Sequence, residues 1–441
     1  MKFKTLPGLR AFYPEECAMR NFIFSKWKES ANAYTFLEYD APTIEPLELF
    51  EEKSGSEIVN QLFNFTDKGG RAVALRPEMT PSLARLIGAK ANSLRLPAKW
   101  YSIGEQFRYE RPQKGRLRSF YQFNVDILGE SGVGAEAELI ACLIDSFKSV
   151  GLGSSDFKIC LSDRTLWVLF LKTFGISDAN MNAVLSIIDK AQRIDTEKLK
   201  KSLLEYLANN TDSFVDSLNQ LIKIRNFEEL SSFFNTLSPN DKFTYDLKSR
   251  LSDWRGLLNL IQSMGFDKYI EIDFSIVRGL AYYTGFVFEA FEVRAKGRAL
   301  AGGGRYDYLI ERLTGNQMCA VGFAMGDVTF IDLLRIKKKV PDSNFNPDLY
   351  LAFSDENLRS YALQDASVLR GSGFRIEYPL KLQSFSKMFK SLKQRNVNFV
   401  ILYGTEEIKQ GNVKFINLKT GEENIISREN SDFLNKLCKL M

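Results

Sequence analysis

The sequence predicts an α+β protein with a helical insertion and a smaller C-terminal α/β domain, on three observations. Two runs of alternating apolar residues, 96–110 and 119–129, flank a short basic loop and predict a long antiparallel hairpin. The stretch 160–262 is rich in Leu, Ser, Asn and Lys at helical spacing, which predicts the insertion. From Pro347 onward predicted strands and helices alternate, which favours a small domain with a mainly parallel sheet.

The elements around these features divide the chain further. Glu15–Ala33 has the spacing of an amphipathic helix, and Thr35–Ile44 is predicted to be a strand that ends near Pro42. Strand-like, glycine-punctuated sequence returns at 270–334, so the first domain is predicted to be interrupted by the insertion and completed after it. The predicted segments are 1–159, 160–262, 263–337 and 345–441.

Composition limits the class of protein. The chain has 441 residues, of which 45% are hydrophobic, which is enough for buried cores and for more than one domain. No apolar run reaches the roughly 18 residues of a membrane-spanning helix, and the first residues lack the pattern of a secretory signal. The five cysteines lie far apart without a CxxC pair, which favours a cytoplasmic protein over a disulfide scaffold or a zinc site. The net charge of +5 permits a nucleic-acid partner without indicating one.

The chain contains no histidine. A Ser–His–Asp triad, a Cys–His pair and a His-ligated metal are therefore excluded, which argues against the usual kinds of hydrolase. Acid–base chemistry near neutral pH would fall to a carboxylate, a lysine, a tyrosine or the substrate itself.

The hairpin concentrates candidate site residues. Arg108 and Glu110 lie two apart on one strand and share a face, while Phe120 and Gln122 lie on the returning strand. Such residues suit a nucleoside triphosphate, because guanidinium groups pair with phosphate oxygens and an aromatic ring stacks on adenine. A solvated charged turn is an equally open interpretation of the basic residues Arg111, Lys114, Arg116 and Arg118.

Of three further motifs, two have two interpretations each and the third has one. In LRPEMTP, the carboxylate of Glu78 and the hydroxyl of Thr80 suit an ammonium group, but they also fit a helix start with Thr80 as cap and Pro81 in the first turn. The glycines of VRGLAYYTG suit a close approach of the backbone to a ligand, or a bulged core strand. Those of AGGGRYD let the chain pass close to something, although a lone glycine run is a weak signal.

Taken in order, these motifs resemble those of the histidyl-tRNA synthetases, a family of class II aminoacyl-tRNA synthetases, over essentially the whole chain. The matching stretches are LRPEMTPSLARL, FRYERPQKGRLRSFYQFNVDILG, VRGLAYY, AGGGRYD and GFAMG, followed by a C-terminal region that resembles the anticodon-binding domain of the family. The resemblance implies a class II catalytic domain on an antiparallel sheet. It also implies ligation of L-histidine to tRNA(His) with ATP and Mg²⁺, by a homodimer whose dimer-forming motif is Glu15–Pro42.

The resemblance also implies a role for each matching residue. Catalytic roles fall on Arg108 and Arg278, and Gln113 would approach the tRNA acceptor end. Asp126 would bond an imidazole nitrogen. The histidine-binding set would be Glu78, Thr80, Arg108, Gln122, Asp126, Arg278, Tyr282, Tyr283 and Tyr306. The ATP-binding set would be Arg108, Glu110, Arg116 and Phe120. No protein-held metal is expected.

Two positions depart from the family pattern. The third class motif usually supplies an arginine where this chain has Thr329, and the histidine signature usually has an aspartate where this chain has Ala281. Arg116 and Arg305 are the candidates to hold ATP instead. The competing hypothesis is a catalytically inactive paralogue that senses histidine, like the regulatory subunit of ATP phosphoribosyltransferase, although the segment 345–441 argues against it.

Overall fold

The computed structural model describes residues 4–54, 56–111, 113, 115–190, 195–207, 210–237, 241–277, 283–293, 297–341, 345–428 and 433–441. The chain folds into two compact units, Met1–Pro341 and Asp342–Met441. Within the described residues no helix is long and apolar enough to cross a membrane.

The first unit combines eleven strands and twelve helices among its described residues. The strands are β1 (Leu37–Glu38), β2 (Ile44–Pro46), β3 (Asn64–Thr66), β4 (Ala72–Leu75), β5 (Ala98–Phe107), β6 (Ser119–Leu128), β7 (Phe157–Asp163), β8 (Ile270–Ile272), β9 (Phe286–Glu292), β10 (Ala301–Arg305) and β11 (Ala320–Gly326). The helices are α1 (Pro14–Ala33), α2 (Leu47–Ser54), α3 (Thr80–Gly88), α4 (Gly134–Lys148), α5 (Arg164–Thr173), α6 (Met181–Lys190), α7 (Thr196–Leu207), α8 (Thr211–Leu221), α9 (Phe227–Thr236), α10 (Asp241–Ser263), α11 (Leu309–Thr314) and α12 (Asp327–Ile336).

The main sheet has the strand order β1-β5-β6-β11-β10-β9-β7-β8. The pairs from β5 to β7 are antiparallel, and only the edge pairs β1–β5 and β7–β8 are parallel. Strands β5 and β6 form the predicted hairpin, in register from Ala98↔Leu128 to Phe107↔Ser119. The predicted α+β class with an antiparallel catalytic sheet is thereby confirmed.

Strand β6 separates the hydrophobic core from the opposite face of the sheet. Its side chains alternate, so Phe123, Val125 and Ile127 point into the core formed with α1, α4 and α12. Trp27 of α1 stacks on Phe123, with the ring centroids 5.4 Å apart. Every second residue, from Phe120 on, faces the other side of the sheet.

A buried ion pair joins β10 to α4. Arg305 donates to both carboxylate oxygens of Glu136 at 2.6 Å, and it also donates to the carbonyl oxygen of Glu130 at 2.9 Å. Burial alone disfavours the charge, but the hydrogen bonds and charge of Glu136 outweigh it and raise the pKa of Arg305. Both side chains are almost fully buried. The prediction that Arg305 is a candidate to hold ATP is therefore wrong, since its guanidinium is committed to the core.

Two of the three glycines of β10, Gly303 and Gly304, lie close to the backbone of neighbouring strands. A Cβ added to Gly303 would overlap the carbonyl oxygen of Gly322 on β11, so the two strands approach too closely for a side chain there. At that position the glycine run therefore passes close to the neighbouring strand.

Helices α6 to α10 lie between β7 and β8 in the chain and are tied to the sheet by Asp163. One carboxylate oxygen accepts from Arg250 at 2.6 Å and from the indole of Trp254 at 2.7 Å, both on α10. The other oxygen accepts from the backbone N–H groups of Thr165 and Leu166 and caps α5. Strand β7 crosses the predicted limit between the first segment, 1–159, and the insertion, 160–262. The division of the chain into four segments stays a prediction.

The second unit contains strands β12 (Leu349–Phe353), β13 (Ile376–Glu377), β14 (Phe399–Tyr403), β15 (Asn412–Asn417) and β16 (Glu423–Ser427). Its helices are α13 (Arg359–Gly371), α14 (Phe385–Gln394), α15 (Thr405–Lys409) and α16 (Phe433–Leu440). The first three strands pair in parallel, as predicted, in the order β13-β12-β14. Strands β15 and β16 add an antiparallel hairpin, so the sheet is mixed rather than mainly parallel.

Two local predictions are wrong. The segment Thr35–Ile44 is not one strand, because Thr35 has a positive φ of 61° and only the residues of β1 and β2 pair. Thr80 is the first residue of α3 rather than its cap, which is Met79, and no side chain caps that helix. Pro81 does lie in the first turn, where its missing N–H costs nothing.

Arg305→Met is expected to lower the free energy of unfolding of the first unit by about 3–5 kcal/mol, because Glu136 would stay buried without its counter-charge. Tryptophan fluorescence in a denaturant titration measures this unit alone. All tryptophans of the chain belong to it: Trp27, Trp100, Trp167 and Trp254.

The matched control is Arg335→Met, whose ion pair with Asp332 is exposed. That change should stay within about 0.5 kcal/mol. Equal effects of the two substitutions would contradict a structural role for the buried pair.

Candidate active site

A cleft of about 180 Å³ lies on the face of the sheet opposite the core helices. Its walls come from the hairpin, from β10 and the residues before it, from β11 and from the start of α12. Five residues predicted from the sequence line it together: Arg108, Glu110, Arg116, Phe120 and Gln122.

Arg108 joins the hairpin to the neighbouring segment. Its Nε donates to the carbonyl oxygen of Pro77 at 3.0 Å, and its guanidinium carbon lies 5.2 Å from the centroid of the Phe120 ring. Because Pro77 precedes Glu78, this bond brings the segment with Glu78 and Thr80 beside the cleft.

Arg76 anchors the segment that contains Glu78 and Thr80. This buried side chain donates to the carbonyl oxygen of Ala41 at 2.6 Å and to that of Glu105 on β5 at 3.1 Å, and pairs with Asp40 at 3.0 Å. Arg76 belongs to the LRPEMTP motif, but the sequence assigned it no role. It fixes the position of Glu78 and Thr80, two candidate histidine-binding residues.

At the mouth of the cleft, Arg116 forms an ion pair with Glu110. The turn of the loop is closed by backbone hydrogen bonds between Gln113 and Arg116, at 3.0 Å and 2.8 Å. Gln113 is exposed at this turn. Glu110 and Arg116, both predicted to bind ATP, therefore contact each other in this structure.

Asp126 lies deeper along β6, on the same face as Gln122 and about 14 Å further at the usual strand rise. Its carboxylate is buried and accepts a hydrogen bond of 2.5 Å from the hydroxyl of Tyr306. Tyr283 packs in the same apolar cluster as Tyr306. A Cβ added to Gly322 of β11 would overlap Asp126 Oδ1, so that glycine makes room for the carboxylate.

Three predicted or discussed positions, Arg278, Ala281 and Tyr282, lie outside the described residues. Their roles stay predictions.

Sequence reasoning missed two residues near Asp126. Asn124 lies between Gln122 and Asp126 on the same face, and the period of two along the strand was a signal that could have found it. The buried hydroxyl of Tyr39 has no hydrogen-bond partner in the described part of the chain. Burial, and then the charge of Asp126, raise the pKa of Tyr39. No pattern in the sequence marked it.

Asp327, beside the departure at Thr329, has a structural role. Its fully buried carboxylate accepts from the backbone N–H of Tyr121 at 2.9 Å and pairs with Arg10 at 2.8 Å. Burial raises the pKa of Asp327, against the attraction of Arg10. The side chain fastens the start of α12 to β6 and to the N-terminal segment.

The site combines an arginine-lined cleft with a buried carboxylate on one face of an antiparallel sheet. Guanidinium groups beside an aromatic ring suit a nucleotide, and a buried carboxylate paired with a tyrosine suits a ligand with a hydrogen-bonding ring. This sheet and this site define the catalytic domain of a class II aminoacyl-tRNA synthetase.

Comparison with known proteins identifies the family. Residues 8–328 match the histidyl-tRNA synthetase family and residues 342–437 match the anticodon-binding domain family. The chain is 45% identical to the histidine–tRNA ligase of Opitutus terrae, over 97% of this chain and 96% of that protein. It is 37% identical to the chloroplastic/mitochondrial histidine–tRNA ligase of Arabidopsis thaliana, over 94% of this chain and 83% of that protein.

A solved structure supports the fold. The crystal structure of histidyl-tRNA synthetase from Nostoc sp. PCC 7120 superposes with a TM-score of 0.80 at 22% identity, covering 100% of both chains. The chain described here belongs to the histidyl-tRNA synthetase family, and it is an aminoacyl-tRNA ligase.

Gly322→Ala is expected to displace the Asp126 carboxylate, because the new methyl group would occupy its position. Histidine affinity, measured by calorimetry, should fall by roughly tenfold or more, as for loss of a hydrogen bond to a charged group.

Gly134→Ala is the matched control, since an added Cβ at that position has no atom within 4 Å. Unchanged histidine affinity in Gly322→Ala would show that Asp126 does not contact the ligand.

Proposed function

We propose that this histidine–tRNA ligase activates L-histidine with ATP on one face of β6 and then transfers histidine to the 3′ end of tRNA(His). The observation that supports this most is the placement of the arginine-lined cleft and the Asp126–Tyr306 pair along the same strand face. One end suits a polyphosphate and the other an imidazole, so the two reactants would meet between them.

In the first step an oxygen of the histidine carboxylate attacks the α-phosphorus of ATP. A new P–O bond forms to the carboxylate, and the bond to pyrophosphate breaks with its electron pair leaving on pyrophosphate. Negative charge accumulates, so fixed positive charge at Arg108 contributes more than an acid or base would. A chain without histidine is therefore equipped for this step.

In the second step the terminal ribose hydroxyl of the tRNA attacks the carbonyl carbon of the adenylate, and AMP leaves. The exposed Gln113, at the turn of the hairpin loop, would approach the acceptor end. The second unit, which matches the anticodon-binding family over 342–437, would contact the other end of the tRNA.

Selectivity for histidine would come from Asp126 and Tyr306. The carboxylate accepts the N–H of one imidazole nitrogen, while the hydroxyl of Tyr306 holds the carboxylate in place. An amino acid without a ring N–H gives this buried carboxylate no hydrogen bond from the ligand, which is the cost that excludes it.

Mg²⁺ would enter with ATP. No group of three acidic or cysteine side chains in the described residues could hold a metal alone, whereas Mg²⁺ in nucleotide sites is commonly held by phosphates with one or two carboxylates. The carboxylate of Glu110 lines the cleft but is paired with Arg116, so the ligands of the ion would come mainly from the phosphates. The ion would neutralise charge on the phosphates.

The active form would be a homodimer, joined through the segment Glu15–Pro42, which contains nearly all of α1 and the whole of β1. Leu37 is a large apolar side chain of this segment that is 66% exposed, so it is available for a contact with a second copy of the chain.

The alternative, a histidine-sensing regulatory subunit, is not better supported. The anticodon-binding match and the arginines of the cleft both favour the ligase.

Histidine-dependent ATP–pyrophosphate exchange is the test of the function. Arg108→Ala should lower kcat/KM for exchange by about 10²- to 10³-fold, because it removes a preorganised donor to the developing charge. Asp126→Asn should instead raise KM for histidine and leave KM for ATP near its original value.

Arg335→Met serves as the control, since it is exposed and outside the cleft. Absence of exchange in the unmodified protein, with histidine still bound by calorimetry, would contradict the ligase and favour the sensor.

Leu37→Glu should weaken the dimer by at least about tenfold, because a charge would replace an apolar contact. Sedimentation at a series of protein concentrations measures this. Leu380→Glu, at an exposed leucine of the second unit, is the control, and identical sedimentation of both variants would place the interface elsewhere.

A further inference from the structure

Arg298, which neither the motifs nor the resemblance singled out, lines the same cleft as Arg108 and Arg116. It lies just before β10. One of its terminal nitrogens donates to the carbonyl oxygen of Gly115, at the turn of the hairpin loop, at 3.1 Å. This single bond fixes the side chain across the mouth of the cleft, and the guanidinium keeps other N–H groups for a ligand.

The charges at the mouth are unbalanced. Three arginines, Arg108, Arg116 and Arg298, and one carboxylate, Glu110, are found among the described residues that line the cleft. Partial burial, and then the positive charge of Arg116, lower the pKa of Arg298 against the attraction of Glu110. The two arginines repel each other, and an anion placed between them would relieve the repulsion.

Arg298 also lies next to Thr329, which stands where the third class motif usually has an arginine. Measured from the place of a Cβ on Gly115, the Cδ of Arg298 is 3.4 Å away and the Cγ2 of Thr329 is 3.7 Å away. Thr329 carries no charge, and Arg305 is held in the core by Glu136. The cation that the third class motif lacks is therefore present at the same wall of the cleft, from a different part of the chain.

We propose that Arg298 binds the β- and γ-phosphates of ATP and stabilises the leaving pyrophosphate, in place of a cation at position 329. This proposal rests on the proposed function. The choice of phosphate over adenine follows from the charges, because stacking on a base would leave the repulsion between Arg298 and Arg116 uncompensated.

Calorimetry with ATP, pyrophosphate and AMP tests the proposal directly. Arg298→Met should weaken binding of ATP and of pyrophosphate by roughly 10- to 100-fold, as expected for loss of a charged hydrogen bond. Binding of AMP should stay within about twofold, because AMP lacks both phosphates. In exchange assays KM for ATP should rise while KM for histidine stays the same.

Arg298→Lys should recover part of the affinity, since it restores the charge without the guanidinium fork. Thr329→Arg introduced into the Arg298→Met protein should recover more of the affinity than Arg298→Lys does, because the side chains at positions 298 and 329 approach the same point. Arg335→Met again controls for loss of surface charge, and tryptophan fluorescence shows that each variant is folded.

Unchanged ATP and pyrophosphate affinity in Arg298→Met would overturn the proposal. An equal loss for AMP would also overturn it, by assigning Arg298 to the adenosine half. Because these binding measurements need no catalysis, they remain decisive even if the unmodified protein shows no histidine-dependent exchange, a result that would contradict the proposed function alone.

Discussion

The alternation of side chains along β6 is the constraint on which the rest of the structure depends. A strand exposes its residues to two faces in turn, so one ten-residue segment supplies both the core and the site. Phe123, Val125 and Ile127 are held by α1 and α4, which leaves Gln122 and Asp126 no freedom to turn inward. A shift of register by one residue would exchange the two sets and remove both functions together. The rigidity of the site is thus a by-product of burying the aromatic core.

Buried charges hold the elements around this strand in place. Asp163 ties the inserted helices to the sheet, Arg76 anchors the segment before α3, and Asp327 fastens the start of α12. Each is surrounded by several hydrogen bonds, which is the condition under which a charge tolerates burial. The charges of the cleft differ in kind. They stay accessible at its mouth, where an incoming anion can pair with them.

Local patterns predicted most of the fold. The hairpin of β5 and β6, helix α1 and the parallel core of the second unit follow from periodicity and turn residues, which act within a few positions. The antiparallel β15–β16 hairpin was missed, and Thr35–Ile44 was predicted as one strand although Thr35 turns the backbone. For the site, the order of the motifs was sufficient to predict five residues that line one cleft: Arg108, Glu110, Arg116, Phe120 and Gln122. Sequence could not distinguish Arg305 from Arg298, because the burial of an arginine depends on Glu136, which is 169 positions away in the chain.

The Asp126–Tyr306 pair has a consequence for spectroscopy. Since the chain contains no histidine, a bound histidine would bring the sole imidazole of the complex, and its ring signals would be free of overlap from other imidazoles. The nitrogen that carries the proton is set by the partner that accepts its hydrogen bond. The tautomer and the ionisation of a histidine bound beside this carboxylate would therefore be open to direct titration by nuclear magnetic resonance, with the isotope label on the histidine rather than on the protein.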